Sequence, residues 1–132
     1  MVSSKDFTDT ILQNYPEAKD FNLIAAGHGY SLSPDIMPIK VDKEYLKTAI
    51  LPFEMAEKAD IPVWITEISD VNPLDISIHD GLKWAVTFHN YLTKANVNAI
   101  IWWGGAMPTS NNESLIILDK NRKDFLSVSY TH

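Results

Sequence analysis

Cysteine is absent from the sequence. That absence excludes disulfide frameworks, thiolate metal sites and cysteine nucleophiles, while it leaves the redox compartment open. Positive charge is also scarce, because 11 lysines and arginines stand against 17 aspartates and glutamates and give a net charge of −6. This balance argues against a nucleic-acid partner and against an anionic membrane surface as a partner.

Long apolar runs are absent too. No stretch approaches the roughly 18–20 residues that a membrane-spanning helix needs, and Met1 is not followed by the basic and then apolar segment of a secretory signal. The 132 residues are 45% hydrophobic and 21% charged, which is typical of globular domains. The sequence therefore predicts a soluble domain, or part of one, with no visible targeting signal.

Short apolar runs alternate with helical patterns along the chain. Helical spacing predicts a short first helix that stops at Tyr15-Pro16, a helix over 42–56 that bends at Pro52, and a long helix over 77–94. One side of the long helix is expected to be apolar, formed by Ile78, Leu82, Ala85, Phe88 and Leu92. Residues 31–42 predict a loop, and four runs predict strands, at 21–26, 61–66, 97–103 and 115–118.

The alternation of strands and helices favours an α/β fold with a parallel sheet and right-handed crossovers. The three main strands are apolar on both faces, which is typical of parallel strands covered on both sides. Three strands alone would leave apolar edges unpaired, and a barrel of eight such units needs about 250 residues. The expected architecture is therefore the C-terminal part of a larger (β/α)8 TIM barrel.

Chemically capable side chains stand where the predicted strands end. Because the carboxyl ends of parallel strands meet at one mouth, these side chains should face a common pocket. They are His28 and Tyr30 at the end of the first strand, Thr66 and Glu67 at the end of the second, and Trp102 and Trp103 at the end of the third.

Glu67 is the most informative of these residues. An ionised carboxylate directly after an apolar strand is costly to bury without partners, and His28 or Tyr30 could supply hydrogen bonds that keep it ionised. Such a glutamate can act as a nucleophile or a base, and the aromatic planes beside it suit stacking on sugar rings. Retaining glycoside hydrolysis uses this arrangement, with two carboxyl groups about 5–5.5 Å apart.

Structural roles remain open for the same residues. Glu67 could instead cap the next helix or pair with a lysine, and Tyr30 could be a rim residue. Successive strand residues point to opposite faces, so only one of Trp102 and Trp103 is expected to touch a ligand. Trp64 and Trp84 are assigned to packing.

Other site motifs do not fit. Gly27-His28-Gly29 supplies two glycines of a dinucleotide fingerprint, but Leu32 stands at the third position and a proline-containing loop follows. Ser31 lacks the glycines of a hydrolase elbow, and His79 and His89 lie ten positions apart on one helix and face different ways. No metal and no cofactor are therefore expected.

The segment Val63-Trp64-Ile65-Thr66-Glu67-Ile68-Ser69 resembles the nucleophile strand of glycoside hydrolase family 30. Gly27-His28-Gly29-Tyr30 is similar to the sixth strand of that family. Four further segments are similar to its seventh helix and eighth strand: Gly81-Leu82-Lys83-Trp84-Ala85, Asn90-Tyr91-Leu92, Ala95-Asn96-Val97-Asn98-Ala99 and Ile101-Trp102-Trp103. The resemblance covers about residues 20–120.

This resemblance implies a retaining glycosidase that acts by double displacement, with Glu67 as nucleophile. It further implies that His28 and Tyr30 line the site and that Trp103 or Trp102 is a sugar platform. The Ala-Asn-Val-Asn-Ala segment favours β-1,4-xylan or glucuronoxylan as the polymeric substrate, and other branches of the family act on glucosylceramide, β-1,6-glucan or β-1,6-galactan. A polymeric substrate implies an extracellular location.

Two departures from the family pattern accompany the resemblance. The acid/base glutamate of the family follows an asparagine at the end of the fourth strand, and no glutamate of this sequence occupies such a place; Asn112-Glu113 has the dipeptide but lies beyond the last barrel strand. The catalytic domain is therefore expected to be partial over residues 1–119, ending at the start of a β-rich side domain. Residues 120–132 are expected to be a truncated or artefactual tail.

Without a proton donor the isolated chain is expected to be inactive or nearly so, because general acid catalysis supplies about 10²–10⁴-fold. The alternative from another class is a small autonomous α/β binding or scaffold domain in which Glu67 is structural. Self-association of two copies through open sheet edges is a third expectation.

Overall fold

A computed structural model describes residues 4–29, 52–119 and 124–127 of the chain. Three α-helices and six strands occur in these ranges, in the order α1 (Ser4–Asn14), β1 (Ala25–His28), α2 (Glu54–Lys58), β2 (Val63–Ile68), α3 (Ile78–Lys94), β3 (Val97–Trp102), β4 (Gly104–Met107), β5 (Ser114–Asp119) and β6 (Asp124–Ser127). A 3₁₀-helix, Pro16–Asp20, follows α1. Tyr30, the predicted loop at 31–42 and most of the helix predicted at 42–56 lie outside the described residues.

The first sheet has the order β1-β2-β3, and all of its strands are parallel. The described fold is therefore α/β with a parallel sheet, as the alternation of strands and helices predicts. A second sheet has the order β4-β5-β6, with β4 parallel and β6 antiparallel to β5.

Strand β4 starts at Gly104, two residues after the third strand ends at Trp102, and was not predicted. A Cβ atom at Gly104 would lie 3.0 Å from the carbonyl oxygen of Glu113 and 3.2 Å from the Cβ of Ser114. The glycine thus marks a close approach of two strand backbones rather than a break. Strand β6 was not predicted, and the expectations for residues 1–119 and 120–132 as separate units stay predictions.

Two strands are shifted toward the C-terminus relative to their apolar runs. The ladder of β1 starts at Ala25, which pairs with Val63, while Phe21, Leu23 and Ile24 of the same apolar run are exposed. Strand β2 continues through Glu67 to Ile68, so the prediction that this strand stops before Glu67 is wrong. Both shifts place His28 and Glu67 inside the sheet instead of after it.

Helix α3 has the predicted extent, but most residues of its apolar side are not buried. Ile78, Leu82 and Leu92 are exposed, whereas the buried positions of this helix include Asp80, Lys83, Trp84, Thr87, Asn90 and Tyr91. Apolar spacing alone could not reveal this orientation, because the buried charges of Lys83 and Asp80 also need the partners Asp70 and Asn112, which lie outside the helix.

The core lies between the helices and one face of the first sheet. Its largest fully buried apolar side chains are Phe53, Ile65, Ile68, Trp84 and Tyr91. On the other face of the sheet, alternate positions are exposed: Ala26, His28, Trp64, Thr66 and Ile101. Within the described residues the sheet is therefore covered on one face, not on both as the sequence predicts.

Candidate functional site

His28 and Glu67 meet at the carboxyl end of neighbouring parallel strands. The two residues are Cα partners in the β1–β2 ladder, and His28 Nε2 lies 3.3 Å from Glu67 Oε2. The imidazole is 57% exposed, whereas the glutamate side chain is only 20% exposed. The carboxylate is thus held in the sheet with the more open imidazole beside it.

A register shift creates this pairing. Gly27 lies opposite Ile65, yet the next residue, His28, lies opposite Glu67, so Thr66 is skipped. Ile65 and Ile68 are both completely buried although they are three residues apart. Because side chains alternate along a strand, both can face the core only where an extra residue is accommodated between them, as in a β-bulge.

Trp102 and Trp103 have different environments. The Trp102 ring packs edge-on against Trp84, with centroids 4.8 Å apart and an interplanar angle of 85°, and its Nε1 donates a 3.1 Å hydrogen bond to the Glu113 carbonyl oxygen. Trp103 is 56% exposed, and its amide donates a 2.9 Å hydrogen bond to the carbonyl oxygen of Ile68. One tryptophan therefore packs against α3, while the other is open and attached beside Glu67.

Trp64 differs from its predicted packing role. It is 37% exposed, on the open face of the sheet, where its Cα partners are Ala26 in β1 and Ala99 in β3. Two alanines on neighbouring strands leave the indole without a large flanking side chain at those positions. No sequence signal separated it from a core tryptophan, since Val63 and Ile65 on either side are buried.

Sequence reasoning missed a buried network next to Glu67. Asp70, two residues beyond the end of β2, accepts hydrogen bonds from Lys83 Nζ at 2.5 Å and from Trp84 Nε1 at 3.2 Å. Its other oxygen accepts bonds from the backbone and side-chain amides of Asn72, at 2.9 and 2.7 Å. Lys83 also pairs with Asp80.

The charges in this network stabilise one another. Burial acts to raise the pKa of Asp70, but the Lys83 ammonium together with hydrogen bonds from Asn72 and Trp84 holds that pKa below its usual range. Burial acts to lower the pKa of Lys83, and hydrogen bonds to Asp70 and Asp80 raise it instead. Asp70 and Lys83 thus remain charged in the core.

Asn112 extends the network to the loop before β5. Its side-chain amide donates to Asp80 Oδ2 at 3.0 Å and to the Asp75 carbonyl oxygen at 2.9 Å. Its Oδ1 accepts a 2.9 Å bond from the Asp75 amide. The loop after β2 is therefore tied to the second sheet. Asn112-Glu113 provides this link, and the asparagine is completely enclosed.

Tyr91 links α3 to the end of β1. Its hydroxyl donates a 2.6 Å hydrogen bond to the carbonyl oxygen of Gly29, the residue after His28. Tyr91 is fully buried, and this burial raises its pKa above the ordinary value for a phenol.

No three potential ligands among residues 4–29, 52–119 and 124–127 are grouped so that they could hold a metal ion. In the same ranges, no helix is both long enough and apolar enough to cross a membrane. What the described site offers is a partly enclosed carboxylate, an exposed imidazole and open indole rings. A carboxylate of this kind can attack an electrophilic carbon, take up a proton or bind a hydroxyl group.

Of the predicted site residues, His28 and Glu67 lie in contact, Trp103 is attached next to them through Ile68, and Trp102 faces the helix. Tyr30 lies outside the described residues, so its place beside Glu67 stays a prediction. Comparison of the chain with models of protein families gave no match, and comparison with curated proteins gave none either.

Proposed function

We propose that this chain carries the nucleophile side of a retaining glycoside hydrolase site, with Glu67 as the nucleophile and a β-linked polysaccharide, xylan or glucuronoxylan, as the substrate. The observation that carries the proposal is the contact of Glu67 with His28 at the carboxyl end of parallel strands. That end of a parallel α/β sheet is where such folds bind their substrates. A xylan substrate would put the protein outside the cell.

The fold part of the proposal is that the first sheet is a segment of a (β/α)8 barrel. One face of the sheet packs on helices, and the other presents Ala26, Trp64 and Ala99 side by side on three strands. In a closed barrel such a row is an interior layer, filled by side chains from other strands. An exposed Trp64 flanked by alanines is what an open segment of that layer would show.

The reaction would proceed in two displacements. A carboxylate oxygen of Glu67 forms a bond to the anomeric carbon, while the bond to the leaving oxygen breaks and that oxygen takes a proton from a general acid. Water then attacks the glycosyl–enzyme ester, releases the sugar and restores the carboxylate. His28 is placed to donate a hydrogen bond to Glu67 or to a sugar hydroxyl, and Trp103 offers an open ring for stacking.

An activated substrate tests the nucleophile without the general acid. 2,4-Dinitrophenolate leaves without protonation, so 2,4-dinitrophenyl β-xylobioside should transfer one xylobiosyl group to Glu67, and the ester should persist because no base assists its hydrolysis. Intact-protein and peptide mass spectrometry would detect the added mass. Parallel assays would use the 2,4-dinitrophenyl β-glycosides of glucose, of the β-1,6-linked glucose disaccharide and of the β-1,6-linked galactose disaccharide. The glycoside that labels Glu67 would indicate which of the family's substrate classes the site accepts.

Matched variants decide the interpretation. Glu67→Gln should form no adduct, whereas Glu57→Gln, an exposed glutamate on α2, should be labelled like the natural chain. Absence of any adduct on Glu67 with all four glycosides would contradict the proposal.

The second candidate is an autonomous binding or scaffold domain in which Glu67 is structural. The His28–Glu67 contact favours this candidate, because a contact between neighbouring strands can stabilise the sheet without any catalytic role. A soluble monomer with a sharp melt, no adduct and a lower melting temperature in Glu67→Gln would support this second function.

A further inference from the structure

The positions of His28 and Glu67 depend on the residues that directly follow them. Gly29 follows His28, Ile68 follows Glu67, and these two residues pack against each other on the core side of the sheet. A Cβ atom at Gly29 would lie 2.8 Å from Ile68 Cδ1 and 3.0 Å from Ile65 Cγ2. No side chain fits between them, so glycine allows β1 to lie directly on both isoleucines.

Tyr91, which belongs to α3, packs against the same side of Gly29. Its hydroxyl oxygen would lie 3.2 Å from a Cβ at Gly29, and it donates the 2.6 Å hydrogen bond to the Gly29 carbonyl oxygen. Tyr91 is completely buried. A hydrogen bond in such surroundings has a fixed geometry, because a buried carbonyl without a donor is costly.

Two pairings are available to His28 in a parallel ladder. If the register of Gly27 with Ile65 simply continued, His28 would lie opposite Thr66; the observed partner is Glu67. In the observed register Ile68 lies against Gly29 while Ile65 remains buried.

We infer that Tyr91 is a positioning residue for the candidate site: through the Gly29 carbonyl it fixes the register that sets His28 against Glu67. The catalytic meaning of this role rests on the proposed function, but the register itself does not. Tyr91 acts through the backbone of Gly29, the residue that directly follows β1.

Cysteine cross-linking measures the register directly, because the natural chain contains no cysteine. Two pairs are compared, His28→Cys with Glu67→Cys and His28→Cys with Thr66→Cys, and oxidised glutathione accepts the electrons as each disulfide forms. In the natural background the pair at 28 and 67 should cross-link faster than the pair at 28 and 66. Tyr91→Phe should reduce this ratio about tenfold, the effect of one lost buried hydrogen bond on an equilibrium.

Tyr15→Phe is the matched control, because Tyr15 is 61% exposed and should leave the ratio unchanged. If Tyr91 only fills space, Tyr91→Phe will lower the melting temperature and leave the ratio of the two rates as it was, which overturns the inference. No substrate is needed, so this failure is distinct from failure of the glycosyl label to appear on Glu67.

A second variant covers the case in which Tyr91→Phe does not fold. Gly29→Ala places a methyl group against Ile68 Cδ1 and should reduce the ratio, and adding Ile68→Val, which removes that atom, should restore part of it. An unchanged ratio in Gly29→Ala overturns the inference equally.

Discussion

The ammonium group of Lys83 lies 2.5 Å from Oδ2 of Asp70, and both side chains are almost fully enclosed. Lys83 is 13 residues beyond Asp70 and belongs to α3, whereas Asp70 follows β2. The ion pair therefore anchors the loop that begins directly after the strand of Glu67. Asp80 lies on the other side of Lys83, so one cation neutralises part of the charge of two buried carboxylates.

Removal of the Lys83 charge is expected to destabilise the fold strongly. Lys83→Met keeps most of the side-chain volume but leaves Asp70 and Asp80 without their cation, and breaking a buried pair from one side costs about 3–5 kcal/mol. Urea unfolding followed by circular dichroism would measure the change. Lys94→Met, at an exposed position of the same helix, should change the free energy of unfolding by less than about 0.5 kcal/mol. Equal effects of the two variants would contradict the prediction.

Acid should weaken the same anchor. The pKa of Asp70 in the folded chain lies below the ordinary value of 3.8, so its contribution to stability is fully present above pH 3.8 and is lost as the pH falls through the lowered pKa. The free energy of unfolding should therefore decrease below about pH 4. In Asp70→Asn this part of the decrease should disappear, whereas Glu57→Gln should retain it. A pH series of urea titrations from pH 7 to pH 2.5 tests this, and an Asp70→Asn curve parallel to the natural one would refute it.

Substitution of Trp102 should mainly reduce stability, whereas substitution of Trp103 should mainly reduce sugar binding. Trp102→Ala removes a half-buried ring from Trp84 and should cost about 2–3 kcal/mol, below the range for a fully buried tryptophan. Trp103→Ala should leave stability within about 0.5 kcal/mol, because its ring is open. If Trp103 is the sugar platform, its loss should weaken binding of xylohexaose about tenfold in calorimetric titrations, as loss of a central aromatic contact does.

The opposite result for sugar binding would show that Trp103 is not the sugar platform. Unchanged affinity in Trp103→Ala, together with weaker affinity in a Trp64→Ala variant, would transfer the platform to the open face of the sheet.

Asn112 should control the coupling between the two sheets. Asn112→Ala leaves the Asp75 amide without its acceptor and removes a donor from Asp80, at a cost of about 2–3 kcal/mol. Hydrogen exchange of the Asp75 amide should accelerate at least about tenfold, while the amides of β2 keep their relative protection. Asn22→Ala, at an exposed position, is the control, and slow exchange of Asp75 in Asn112→Ala would count against the link.

The sequence predicts the large elements well because their signals are local. The apolar spacing between Ser77 and Lys94 gives the extent of α3, and Tyr15-Pro16 gives the end of α1. The alternation of these helices with short apolar runs is sufficient to predict a parallel sheet. Strand ends were less predictable, since Phe21 and Ile24 have the composition of a strand but find no partner in the described ladder.

Part of the candidate site could also be predicted from sequence. Glu67 stands out because a carboxylate in an apolar strand needs partners, and His28 is the residue at the matching end of β1. The buried Asp70, Lys83 and Asp80 could not be found this way, because charged residues at helical spacing are far more often exposed.

The sequence by itself indicated the candidate site residues His28 and Glu67 and the extent of α3, because residue type and local periodicity suffice for both. The tertiary structure alone decided the register that places Glu67 opposite His28, the burial of Lys83 between two carboxylates, and the separation of Trp102 from Trp103. Each of these depends on contacts between segments far apart in the chain, such as Tyr91 with Gly29, and no local pattern encodes such a contact.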